Sequence, residues 1–61
     1  MFEHLTVNQV ANELCCKNYY YTVAYDFIVE AVECAKKDLG YANIYPSDVQ
    51  KIDKYIRENY I

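Results

Sequence analysis

Residues 19–39 read YYYTVAYDFIVEAVECAKKDL and run into Gly40. Thr22, Asp26, Glu30, Glu33 and Lys37 recur at steps of four, four, three and four. On a helix of about 3.6 residues per turn that is one narrow polar stripe. Tyr20, Ala24, Phe27, Ala31 and Cys34 form an apolar row on one side of it; Tyr21, Tyr25, Ile28, Val32, Ala35 and Leu39 form another. A helix that is apolar over most of its circumference has to be covered by other elements. Lys36 and Lys37 suit the negative end of the helix dipole, and Gly40 suits a left-handed C-cap. Tyr19, Tyr20, Tyr21, Thr22 and Val23 also favour strands. Helix is the reading over 19–39, because the stripe begins at Thr22 and no partner strand is evident.

Outward from this segment, each side offers a helix with its own start signal. On the N-terminal side, Thr6 and Gln9 fit a capping box, with Leu5 and Val10 placed as a hydrophobic staple. Val7, Val10, Ala11 and Leu14 then recur at helical spacing, and Lys17 and Asn18 form a turn. On the C-terminal side, Pro46 holds Tyr45 extended, and Ser47 with Gln50 fits a second capping box. Val49, Ile52 and Ile56 form the apolar row of that third helix, with Tyr55 and Tyr60 alongside. Asp53 with Arg57, and Lys54 with Glu58, are spaced to pair along it. The expectation is an all-α fold: one domain over 1–61, a compact three-helix bundle with helices over about 6–16, 19–39 and 47–59, orthogonal or up-down. Two single-striped helices cannot cover both apolar rows of the middle one. Its uncovered part is the expected contact surface.

A chain of 61 residues, 54% hydrophobic with one Gly and one Pro, is built for burial but sits near the lower limit for a self-sufficient core. Eight Tyr and no Trp supply large contact areas with polar tips, a composition suited to interfaces. Self-association as a homodimer is one remedy for so small a core. The net charge of −3 argues against nucleic acid, whose binders carry a basic face. Met1, Phe2, Glu3 and His4 supply neither a charged leader nor an apolar run, and no stretch reaches membrane-spanning length. The expected localisation is cytoplasmic, with Cys15, Cys16 and Cys34 reduced.

Leu5, Thr6, Val7, Val10, Ala11 and Leu14, a turn, and a second helix carrying Thr22 and Val23 together resemble the start of a helix-turn-helix domain. Ala11 stands at the small-residue crossing, and Val10 and Leu14 at core positions. The resemblance covers residues 5–28. It implies a second helix that enters the major groove. Base readout would then fall to Asn18, Tyr19 and Tyr20, and phosphate contacts to Lys17, Lys51, Lys54 and Arg57. Cys15 stands where that family usually has Gly, and the interval from Cys16 to Val23 is longer than its turn. Asp26, Glu30 and Glu33 would repel phosphate.

Other chemistry is poorly supplied. His4 is the single His, and Gly40 the single Gly, so neither a base–nucleophile pair nor a phosphate loop is signalled. No cofactor is expected. Cys15 and Cys16 are adjacent and His4 is distant, which is not zinc-ligand spacing. The expectation for the Cys is burial as small hydrophobes. The reading is therefore a non-enzymatic protein-interaction module, regulatory or inhibitory, binding a protein partner or a copy of itself. Tyr19, Tyr20, Tyr21, Tyr25, Asp26, Glu30 and Glu33 are its expected interface. A small helix-turn-helix DNA-binding regulator is the alternative.

Overall fold

The computed structural model describes residues 3–17 and 20–60. In chain order these form α1 (Val7–Cys15), α2 (Tyr25–Leu39), a 3-10 turn (Pro46–Asp48) and α3 (Val49–Asn59). Among the described residues the only extended pairing is an isolated antiparallel bridge between Leu5 and Ile44. There the Leu5 N–H donates to the Ile44 carbonyl over 2.6 Å. The fold is an all-α three-helix bundle.

α1 starts as its sequence dictates. The Gln9 N–H donates to Thr6 Oγ1 at 3.1 Å, and the Thr6 N–H donates to Gln9 Oε1 at 2.8 Å. Two backbone donors that the helix itself cannot satisfy are thereby paired. α2 ends as expected too. Gly40 takes φ 76° and ψ 24°, and its N–H points at the Lys36 and Lys37 carbonyls. The Tyr41 N–H closes on the Lys36 carbonyl at 3.0 Å, the reach-back of a left-handed C-cap.

Two starts differ from expectation. α2 begins at Tyr25, not at 19: Ala24 is extended, with ψ 143°, and no side chain caps the helix. Tyr20 and Val23 instead close turns onto the Lys17 and Tyr20 carbonyls, at 3.0 and 3.1 Å. Aromatic and β-branched residues lose rotamer freedom in a helix, and this segment gains more by turning Tyr20 into the core. The Ser47–Gln50 box does not form either. Asp48 Oδ2 accepts the Tyr45 N–H at 3.0 Å, the 3-10 turn intervenes, and α3 begins at Val49 without a side-chain cap.

The core is a single cluster. α1 contributes Val10, Ala11 and Leu14; α2 contributes Ile28, Ala31, Val32 and Ala35; α3 contributes Ile52 and Ile56. Tyr20 and Ile44 enter it from the two connections. α2 is the central element and packs against both other helices. Asp38, in its last turn, accepts hydrogen bonds from Tyr55 (2.9 Å) and Tyr60 (2.6 Å). The end of α2 is thereby clasped to the C-terminal half of α3. No helix among the described residues is long and apolar enough to cross a membrane.

Candidate functional site

α2 buries one arc, that of Ile28, Ala31, Val32 and Ala35. Each residue advances about 100° around the helix, so the opposite arc carries Asp26, Glu30 and Glu33. All three are exposed. The aromatic residues beside Asp26 fall on the two margins of that arc. Tyr25 is 41% exposed and borders α1, where its hydroxyl donates to the Asn8 carbonyl at 3.4 Å. Phe27 is 43% exposed and lies on the flank that carries Asp38 three turns later, the flank bordering α3. Just ahead of the helix, Tyr21 is 86% exposed. The first turns of α2 thus present an acidic strip edged with aromatic rings.

Tyr20 belongs to the interior instead. Its ring is 1% exposed, and its hydroxyl donates to Asp53 Oδ1 at 2.6 Å. Burial, then the hydrogen bond to Asp53, pushes its phenol well above the ordinary range. Asp53 also pairs with Arg57 (Nε to Oδ1, 3.5 Å). Tyr20 is therefore a core residue and not part of an interface, because the same ring cannot fill the core and present itself to a partner or a base. Arg57 is tied into the same network. Asn18 and Tyr19 lie outside the described residues.

Lys17, Lys51 and Lys54 are exposed. Lys51 and Lys54 share the outward face of α3, opposite Ile52 and Ile56. Lys17 follows the end of α1. Residues 16–24 separate α1 from α2, against about three to four residues in a helix-turn-helix turn.

The three thiols are all exposed, which corrects the expectation of buried Cys. α1 turns only Val10, Ala11 and Leu14 inward, and Cys15 and Cys16 follow on the outward side. Cys15 Sγ donates to the Asn12 carbonyl at 3.1 Å. Its pKa is raised, first by lost hydration and then by the charge of the adjacent Cys16 thiol. Among the described residues, no three His, Cys, Asp or Glu converge as a metal site would require.

Sequence reasoning missed Phe27 as a surface aromatic and Asp38 as a clasp. Phe27 sits one helical step outside the buried arc, and only knowledge of that arc's centre reveals it. Hydrogen bonds from Tyr60, then Tyr55, hold the Asp38 carboxyl below its usual value. The same bonds raise both phenols, Tyr60 to about 12. No protein-family model matches the chain, and neither curated proteins nor solved structures yield a significant match.

Proposed function

We propose that the chain is a non-enzymatic binding module that docks a basic protein surface on the outward face of the first turns of α2. The observation that carries this reading is the exposure of Tyr21, Tyr25 and Phe27 around Asp26 and Glu30. Large rings left out of a complete core, beside charges of a single sign, combine anchoring area with electrostatic steering. Regulation follows by occupancy: a small, acidic, catalytically inert domain acts by covering its partner's surface.

The competing reading is DNA binding. It draws on Lys51 and Lys54, which lie a helical turn apart on the outward face of α3. Its phosphate contacts would have to work against a net charge of −3, and phosphate neutralisation supplies most non-specific affinity.

One experiment separates the two. Tagged wild type, Tyr21→Ala/Phe27→Ser, Glu30→Lys and Lys51→Ala/Lys54→Ala are used for capture from extract of the source organism. The same four proteins are titrated with mixed duplex DNA at low salt. The docking reading expects a captured protein that is lost with the first two variants and retained by the lysine variant. Salt-sensitive DNA binding that weakens in the lysine variant would overturn it.

A further inference from the structure

The outward stripe of α2 changes sign along its length. Asp26, Glu30 and Glu33 occupy its first part, and Lys37 continues the same spacing one turn beyond Glu33. All four residues are exposed. Among the described residues, none of the four is in an ion pair, so their charges are open to an outside partner. Glu30 and Lys37 differ by only about 20° around the helix, at about 100° per residue. Cys34 and Phe27 lie further round on the same outward face. Cys34 is exposed, and Phe27 is 43% exposed. Past the last turn, Gly40 borders open space: a Cβ built there meets nothing within 4 Å. Laid parallel on a copy of itself, this stripe would set acid against acid. Reversed about a two-fold axis between Glu33 and Cys34, it is self-complementary. Positions equally far from that point then stand level. Glu30 meets Lys37 of the other copy, and Lys37 meets the other Glu30. Phe27 stands level with the open space at the other Gly40. The axis also keeps each edge of the stripe against the same edge of its mate, which brings Cys34 beside the other Cys34.

We infer, resting on the reading of this strip as a docking face, that its occupant is a second copy of the chain, joined as an antiparallel two-fold pair of α2 helices. The basic counterpart of the acidic strip is the Lys37 end of the same helix. A two-fold contact makes each pair twice, and covering Phe27 adds apolar burial to a chain near the lower limit for a self-sufficient core. Glu33 is the misfit: beside the axis it approaches its own mate. A basic partner and the second copy compete for Glu30, so dimerisation closes the face to other proteins.

The test is sedimentation equilibrium of the purified full chain at micromolar concentration. Wild type is expected to be a dimer. Glu30→Lys and Lys37→Glu each set like charges together in both pairs, and each should weaken dimerisation at least about tenfold. An equal mixture of these two variants restores opposite signs in both pairs and should sediment as a heterodimer. Glu33→Gln relieves the clash at the axis and should tighten the dimer, while weakening capture of a basic partner. A short bis-maleimide should link two wild-type chains through Cys34; Cys34→Ser should lose that covalent dimer, and Cys15→Ser and Cys16→Ser should keep it. All these positions are exposed, and circular dichroism checks that each variant stays folded. A monomeric wild type, a dimer that survives Lys37→Glu, or a mixture that stays monomeric would overturn the assignment. A monomeric wild type that still captures a protein through Glu30 refutes the dimer and keeps the docking face. A dimer that resists Glu30→Lys, with no protein captured, refutes both.

Discussion

Tyr20 and Asp53, separated by 33 residues, are joined by a hydrogen bond of 2.6 Å from the phenol to the carboxylate. The bond ties the connection between α1 and α2 to the middle of α3. It also accounts for the late start of α2, since a helix running through Tyr20 would carry this ring away from the core. Tyr20→Phe keeps the packing and removes the donor. A hydrogen bond to a charged group is worth about 1.5–3 kcal/mol, so urea unfolding should show a loss of about 2 kcal/mol. Tyr20→Ala should cost about 3–5 kcal/mol, the usual range for emptying an aromatic core position. In a domain this small that approaches the whole stability. A loss below about 0.5 kcal/mol for Tyr20→Phe would show that Asp53 does not depend on the phenol.

Tyr21 is the control for that result. It is adjacent in sequence but 86% exposed, so Tyr21→Ser should change stability by no more than about 0.5 kcal/mol. A large loss by the same urea measurement would place Tyr21 in the fold rather than on a surface available to partners.

Gly40 isolates a backbone effect. At φ 76°, a Cβ built there meets nothing within 4 Å, so replacement costs conformation and not contact. Gly40→Ala should destabilise by about 1 kcal/mol, and Gly40→Asn by less, because Asn tolerates the left-handed region. Equal stability of Gly40→Ala and wild type in thermal unfolding would remove the cap from the account of how α2 ends.

The clasp at Asp38 makes stability fall at both ends of the pH scale. The Asp38 carboxyl is held below its ordinary value. Its contribution is therefore present above the unfolded carboxylate pKa and lost as pH falls through the depressed one. The Tyr60 phenol is pushed from 10.0 up to about 12. Its contribution is complete below pH 10 and disappears as pH rises from about 10 to about 12. Melting temperature followed against pH should decline in both windows. Asp38→Asn should flatten both declines, because the carboxylate whose own pKa is lowered and which raises the phenols is gone. Identical profiles for the two proteins would show that the clasp does not couple to folding.

Much of this fold is written in local pattern. The Thr6–Gln9 box, Gly40 after two lysines, and the spacings of Val10 with Leu14 and of Ile52 with Ile56 are each decided within a few residues. Each of them stands in the structure. These signals are local because caps and helical faces satisfy backbone groups and bury side chains within a turn or two of where they occur. The misread starts share one cause. Thr22 continues the polar spacing of Asp26 and Glu30, yet Tyr20 gains more from Asp53 than from helical hydrogen bonds. Ser47 has the right offset to Gln50, yet Asp48 satisfies the Tyr45 N–H first.

The candidate surface divides in the same way. The acidic residues Asp26, Glu30 and Glu33 could be placed from their spacing, because charges at helical period stay in water. Which of the clustered aromatics joins them could not. Tyr20 and Tyr21 are the same residue type side by side, and one fills the core while the other stands in solvent. By itself, the sequence determined three helices, their faces and one outward acidic strip. Only the tertiary structure decided that Tyr20 goes inside, that Phe27 stays out, and that Asp38 clasps α3. Those outcomes depend on partners supplied by distant parts of the chain, Asp53 for Tyr20 and Tyr55 and Tyr60 for Asp38, which no local pattern names.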